Sequence, residues 1–124
     1  MSEERFQAGL RVRRAVLGAD YVDGELANDR QVGEIQRFIT EYCWGEVWTR
    51  PGLSQRDRSL INVAMLTALN RPRELAVHAK GAVRNGCTVE ELLEVILQAA
   101  IYCGVPAALD AHAVVSESVE GFDE

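Results

Sequence analysis

A helix laid over Leu60 to Leu69 would be apolar almost all the way round, interrupted only by Asn62 and Thr67. A segment of that kind does not lie on the surface of a small monomer. It belongs in the middle of a helical bundle or against another subunit. Ser54, with Asp57 three positions on, caps its start, and Asn70 closes it. Pro72 then suits the first position of a second helix, where its missing N–H costs nothing. Asn85-Gly86 is a left-handed stop. Thr88 and Glu91 form a capping box that opens a third helix carrying Val89, Leu92, Leu93, Ile96, Leu97, Ala100 and Cys103 at helical spacing. Gly104-Val105-Pro106 breaks that run. A last helix, from Pro106 to about Val119, is rich in alanine, which lets helices approach closely.

Ahead of this block, residues 2–17 read as a helix with Phe6, Leu10 and Leu17 on one side and Arg5, Arg11, Arg13 and Arg14 elsewhere. Gly18 ends it, and Gly18 to Leu26 reads as a loop. Asn28 and Gln31 form a second capping-box pattern, followed by Ile35, Phe38, Ile39 and Tyr42. The stretch from Cys43 to Leu53 has no clear period and holds both tryptophans, so it is expected to be an ordered, largely buried connection. The tail from Glu120 is expected to fray. No strand-like alternation occurs anywhere. The expected architecture is all-α, about six helices in one domain over residues 1–124, in an oligomer that covers the apolar helices.

Charge narrows the partners. Thirteen basic residues face 19 acidic ones, a net charge of −6, which disfavours nucleic acid and anionic membranes. The run Val95 to Cys103 is too short to span a bilayer, and Met1-Ser2-Glu3-Glu4 carries no signal-like stretch, so a cytoplasmic protein is expected. Three cysteines, Cys43, Cys87 and Cys103, form no C-x-x-C pair. They are expected to be buried thiols. Two histidines without ligand spacing predict no metal site, and no phosphate-binding glycine loop is present.

Two groups could carry chemistry. Glu74 and His78 stand four apart on one helix, beside the apolar stripe of Leu75, Ala76, Ala79, Ala82 and Val83. A carboxylate there could set the tautomer of the imidazole, giving an acid/base pair; an ordinary surface pair is the plainer alternative. His112, in the last helix, reads as structural. The basic group of Arg50, Arg56, Arg58, Arg71 and Arg73 could hold carboxylates through bidentate forks. Arg50 stands out, because it lies between the tryptophan-rich connection and the rigid Pro51-Gly52.

Four strings, in order and at fitting spacing, carry a resemblance: WGEVWTRPGLS at 44–54, RDRSL at 56–60, ELAVHAKGA at 74–82 and YCGVPAA at 102–108. Together the chain resembles the carboxymuconolactone decarboxylase family, within the alkylhydroperoxidase-D-like superfamily. The redox branch of that superfamily uses a C-x-x-C ahead of the histidine. Here Arg71 and Glu74 occupy those positions, and Ser59 stands near where an acidic relay would fall. The resemblance therefore implies a decarboxylase and not a thiol peroxidase, although a small-acid-binding oligomer and a cysteine-based redox protein remain open alternatives.

The implied substrate is an unsaturated lactone with two carboxylates, 4-carboxymuconolactone of protocatechuate breakdown, converted to the β-ketoadipate enol-lactone. Its electrons can flow into the lactone carbonyl, so no cofactor is expected. By the same resemblance His78, oriented by Glu74, delivers the proton. Arg50, Arg58, Trp48, Glu46 and Tyr102 surround the substrate, with Trp44 and Trp48 keeping the departing carboxylate dry. The implied assembly is a homohexamer, a trimer of dimers.

Overall fold

The computed structural model describes residues 2–27 and 33–122. Among them are seven α-helices and one π-helix, with no strand, as the sequence predicts for an all-α chain. The chain divides into two compact units, residues 1–53 and 54–124.

In the first unit α1 runs Glu3–Leu17. Ser2 caps it, its hydroxyl accepting from the Arg5 amide at 2.9 Å, and Glu3 and Glu4 complement the positive end of the helix. Gly18, at φ 96°, ends it and turns the chain at once into α2, Ala19–Ala27. A loop was expected there. Val22, fully buried, is the apolar anchor of α2, and one buried residue is too little to register as a period. The proposed Asn28/Gln31 capping box lies outside the described residues.

A short α3, Gly33–Phe38, continues directly into the π-helix, Ile39–Val47. Its i→i+5 pattern persists at the exit, where the Trp48 amide donates to the Cys43 carbonyl at 2.9 Å. The wider π turn explains why residues 43–47 show no 3.6-residue period and looked irregular. Burial also ends sooner than expected. Trp44 and Trp48 are buried, but residues 49–53 are exposed.

α1 packs on the π-helix through a stripe that the sequence did not suggest: Gly9, Arg13 and Val16, at positions i, i+4 and i+7. Gly9 lets the two backbones touch. A Cβ there would overlap the Thr40 carbonyl and stand 2.7 Å from the Gly45 amide nitrogen. Gly45 is equally constrained, by the Arg5 backbone and side chain. Arg13, expected among the outward arginines, is instead buried and donates to the Thr40 hydroxyl at 3.0 Å. Burial drives its pKa down, with Tyr21 and Glu25 opposing that shift.

The second unit holds α4 (Gln55–Ala68), α5 (Pro72–Arg84), α6 (Val89–Cys103) and α7 (Val105–Ser118). Its punctuation follows the sequence closely. The Ser54 hydroxyl accepts from the Asp57 amide, and both halves of the Thr88–Glu91 capping box form. Asn70 takes a φ of 57°, and Gly86 and Gly104 take 98° and 111°. The core gathers Val63, Leu75, Leu92, Ile96 and Val115 around Ala79, Ala82, Ala108 and Ala111, whose small side chains let α5 and α7 close together. The tail is not frayed through Phe122, whose ring lies 5.0 Å from the Arg84 guanidinium.

α4 does not lie wholly inside this unit. Ser59, Val63 and Thr67 are buried, while Ile61, Met65 and Leu69 are 40%, 50% and 61% exposed. Leu97, Ile101, Tyr102, Val105 and Leu109 are exposed as well. No helix of the described residues is long and apolar enough to cross a membrane.

Candidate active site

The segment that carries His78 is fixed at both ends. Pro72 sits in the first turn of α5, and the Asn85 amide closes the helix onto Gly81 and Ala82. Leu75, Ala79 and Ala82 bury the inner face. His78, next to that face, is half-buried. Its Nδ1 lies 3.3 Å from the side-chain amide nitrogen of Asn62, on α4. A second polar contact ties α4 to the C-terminal cap of α5, where Asn85 donates to the Ser59 hydroxyl at 2.9 Å. Ser59 is fully buried there, as a short oxygen acceptor and not as an acid.

Glu74, the expected partner of His78, is exposed one turn earlier on α5. Asn62, a hydrogen-bonding neighbour of the imidazole, comes from another helix. Sequence reasoning noted Asn62 only as an interruption of an apolar run. The signal was that interruption itself, since a buried or half-buried amide needs a partner.

The basic group separates into different duties. Arg56 forms a short ion pair with Glu91, the capping-box residue of α6. That contact raises the pKa of Arg56. The Glu91 carboxyl is held below its ordinary range, first by the Thr88 amide and then by Arg56. Arg71 donates to the Leu69 carbonyl at 3.1 Å, at the C-terminal end of α4. Arg58 is half-buried on α4, and Arg73 is exposed.

In the first unit, Arg50 is exposed in the turn after Trp48, its amide donating to the Val47 carbonyl at 3.1 Å. Trp48 stacks on Trp44 with ring centres 4.5 Å apart, and both indoles are buried. Glu46 pairs with Arg5 at 3.3 Å. Thus Trp48, Glu46 and Arg50 share one segment of the first unit, while His78, Glu74, Arg58 and Tyr102 belong to the second unit.

Tyr102 is 82% exposed at the rim of a groove of about 350 Å³ between α4 and α6. Leu60, Ile61, Ala64, Val95 and Ala99 line it, with Gln98 and Cys103 at its edge. A second apolar groove, about 330 Å³, runs between α6 and α7 and has His112 and Glu94 at its rim. His112 is therefore an exposed rim residue, contrary to the structural role expected of it.

The cysteines are free thiols. Cys87 is buried and Cys43 half-buried, and burial pushes both thiols up, away from the reactive thiolate. Cys103 is exposed, against expectation. Among the described residues no three His, Cys, Asp or Glu side chains are grouped to hold a metal.

Comparison with known proteins adds to this geometry. The profile of the Carboxymuconolactone decarboxylase family matches residues 33–117. The chain is 42% identical to a 4-carboxymuconolactone decarboxylase of Acinetobacter baylyi, over 93% of its own length and 87% of the relative's. It is 39% identical to a nitrosuccinic acid decarboxylase of Metarhizium robertsii, over 92% of its own length and 80% of the relative's.

Proposed function

We propose, from the premise that the chain belongs to the carboxymuconolactone decarboxylase family and is a carboxy-lyase, that it decarboxylates 4-carboxymuconolactone to the β-ketoadipate enol-lactone. The observation that carries this reading is the 42% identity to a decarboxylase of that name over nearly the full length of both chains. The reading places the protein in protocatechuate breakdown, in the cytoplasm. A second reading, nitrosuccinic acid as substrate, is favoured by the 39% identity to the fungal enzyme.

Both substrates pose one chemical problem. Each is a dicarboxylic acid in which one carboxylate departs as CO2 and the other remains. In the lactone the released electron pair passes through the double bond to the carbonyl oxygen. In nitrosuccinic acid it passes to the nitro oxygens. In both cases one proton from water, taken up at carbon, then converts the anion to the neutral centre of the product. The electron sink is part of the substrate in both cases, so this reading assigns the chemistry to side chains alone.

The enzyme then needs a cation for the remaining carboxylate and a donor for the charge that collects on the sink. By the family resemblance, Arg50 in the first unit and Arg58 in the second are each assigned as a fork for carboxylate. Trp48 and Glu46 shape the segment on which Arg50 stands, and the Tyr102 hydroxyl serves as a further polar contact. His78 is assigned to the developing charge, with Glu74 as an outer influence on its ring. The exposed apolar side chains of α4, α6 and α7 support a homo-oligomer, which the family resemblance makes a hexamer.

The test is turnover by purified protein, followed as loss of the unsaturated lactone's ultraviolet absorbance, with nitrosuccinic acid in a parallel reaction followed as CO2 release. A higher kcat/KM on the lactone is expected. Turnover of nitrosuccinic acid alone selects the second reading, and failure on both removes the substrate proposal.

A further inference from the structure

We infer that Asn62 is a positioning residue that holds His78 in the tautomer with its proton on Nε2, so that the neutral ring serves as a hydrogen-bond donor. The part of this inference that concerns rate rests on the assignment of His78 to the developing charge.

The geometry is specific. The Asn62 amide nitrogen lies 3.3 Å from Nδ1 of His78. A carboxamide nitrogen only donates, and a neutral imidazole carries one N–H and one in-plane lone pair. Asn62 therefore donates to the Nδ1 lone pair, and the ring proton resides on Nε2. The contact is not a chance meeting of surface groups. Ser59 and Asn62 lie three apart on one face of α4; His78 lies on α5, and Asn85 is the residue that caps the C-terminal end of that helix. Asn85 bonded to Ser59, at 2.9 Å, pins the same seam and fixes how the two helices sit against each other.

This changes what His78 can do. A carboxylate partner such as Glu74 would accept from Nδ1–H and favour the imidazolium. An amide donor favours the neutral ring. A neutral imidazole is a poor acid but a good hydrogen-bond donor, and a neutral histidine can polarise a carbonyl in that way. In both candidate reactions the charge collects on an oxygen, where a fixed N–H donor strengthens as the charge grows.

The test is ¹⁵N NMR of the full chain labelled at histidine, at alkaline pH where the rings are neutral, with His112→Asn separating the two residues. For the wild type the expected pattern is a pyrrole-like Nε2 and a pyridine-like Nδ1 at His78. Asn62→Asp, which can only accept, should reverse that pattern. Asn62→Leu should give a mixture. In kinetics both variants should lower kcat by roughly 10–100-fold, the span for losing a group that orients a functional histidine, with KM within about two-fold.

His78→Gln, whose amide retains an N–H, should keep more of the rate than His78→Ala; a proton donor would lose both alike. A wild-type ring protonated at Nδ1 overturns the inference. So does an unchanged pattern in a folded Asn62→Asp variant, and so does equal loss in the Gln and Ala variants. The wild-type spectrum needs no substrate and no variant. A protein that turns over neither acid while showing the Nε2–H tautomer would refute the proposed function and leave the tautomer assignment standing.

Discussion

Replacing Gly9 by alanine tests whether α1 and the π-helix depend on backbone contact. The new Cβ would overlap the Thr40 carbonyl and stand 2.7 Å from the Gly45 amide nitrogen, well inside the contact distance of about 3.5 Å. Both obstacles are backbone, so no rotamer change relieves them. Overpacking of a buried site costs about 1–3 kcal/mol, and a rigid obstacle belongs at the top of that range. Alanine returns about 0.5–1 kcal/mol through its better helix propensity. The net loss is about 2 kcal/mol, roughly a 30-fold shift in the folding equilibrium. Gly24→Ala is the matched control. It is also helical, but its Cβ would meet nothing within 4 Å, so it should stabilise by about 0.4–1 kcal/mol. Both tryptophans lie at or beside the π-helix, so their fluorescence during denaturant unfolding reports this unit. A Gly9→Ala midpoint at or above the wild type would refute the close-contact argument. Two substitutions that shift the midpoint equally would refute it as well.

Other outcomes follow from the site and its supports. The Glu91 carboxyl is depressed in the folded chain, so the stability it contributes is present above its unfolded pKa of about 4.3 and lost as pH falls through the lower folded value. Unfolding midpoints of the wild type and Glu91→Gln should therefore differ at neutral pH and converge in acid; a gap independent of pH would contradict this. His78→Ala should lower kcat by roughly 10²–10³-fold, the usual loss for one fixed donor to a developing oxyanion, with KM little changed. Arg50→Ala should mainly raise KM, because a carboxylate fork acts in ground and transition states alike; an unaltered KM would remove Arg50 from substrate binding. Exhaustive dialysis against EDTA should leave the rate intact, and a loss restored by zinc or manganese would count against side-chain-only chemistry. Sedimentation at micromolar concentration should show an oligomer; a stable 13.7 kDa species would sink that proposal.

Legibility in the sequence tracked the range of the interactions involved. Ser54, Thr88 with Glu91, Pro72, Gly86 and Gly104 act on their own neighbours within a few residues, and each one stands where the sequence places it. The π-helix was not legible, because side chains on an i→i+5 helix do not recur at the 3.6-residue spacing that marks an α-helix. Arg13 was misread for a different reason. Its burial depends on Gly9, four residues earlier, letting α1 come close enough to Thr40 for the guanidinium to find its hydroxyl. Nothing local to Arg13 encodes that approach.

Three small polar residues of α4, Ser59 just before its apolar run and Asn62 and Thr67 within it, carry the same lesson into the site. Each one has a partner that accounts for its presence. Ser59 accepts from Asn85, and Asn62 meets His78. Thr67 turns its hydroxyl back onto the Val63 carbonyl at 2.7 Å, satisfying itself within the helix. A buried polar group without a partner costs about 1–3 kcal/mol, so an interruption in an apolar run marks a place where the fold supplies one. For Thr67 the partner is the helix's own backbone and carries no functional meaning. For Ser59 and Asn62 the partners lie on or just past α5, and one of them is the histidine to which the family resemblance assigns the chemistry. Glu74 was favoured as that histidine's partner because i, i+4 spacing is visible in sequence. Asn62, sixteen residues away on another helix, becomes its neighbour only when α4 and α5 pack face to face.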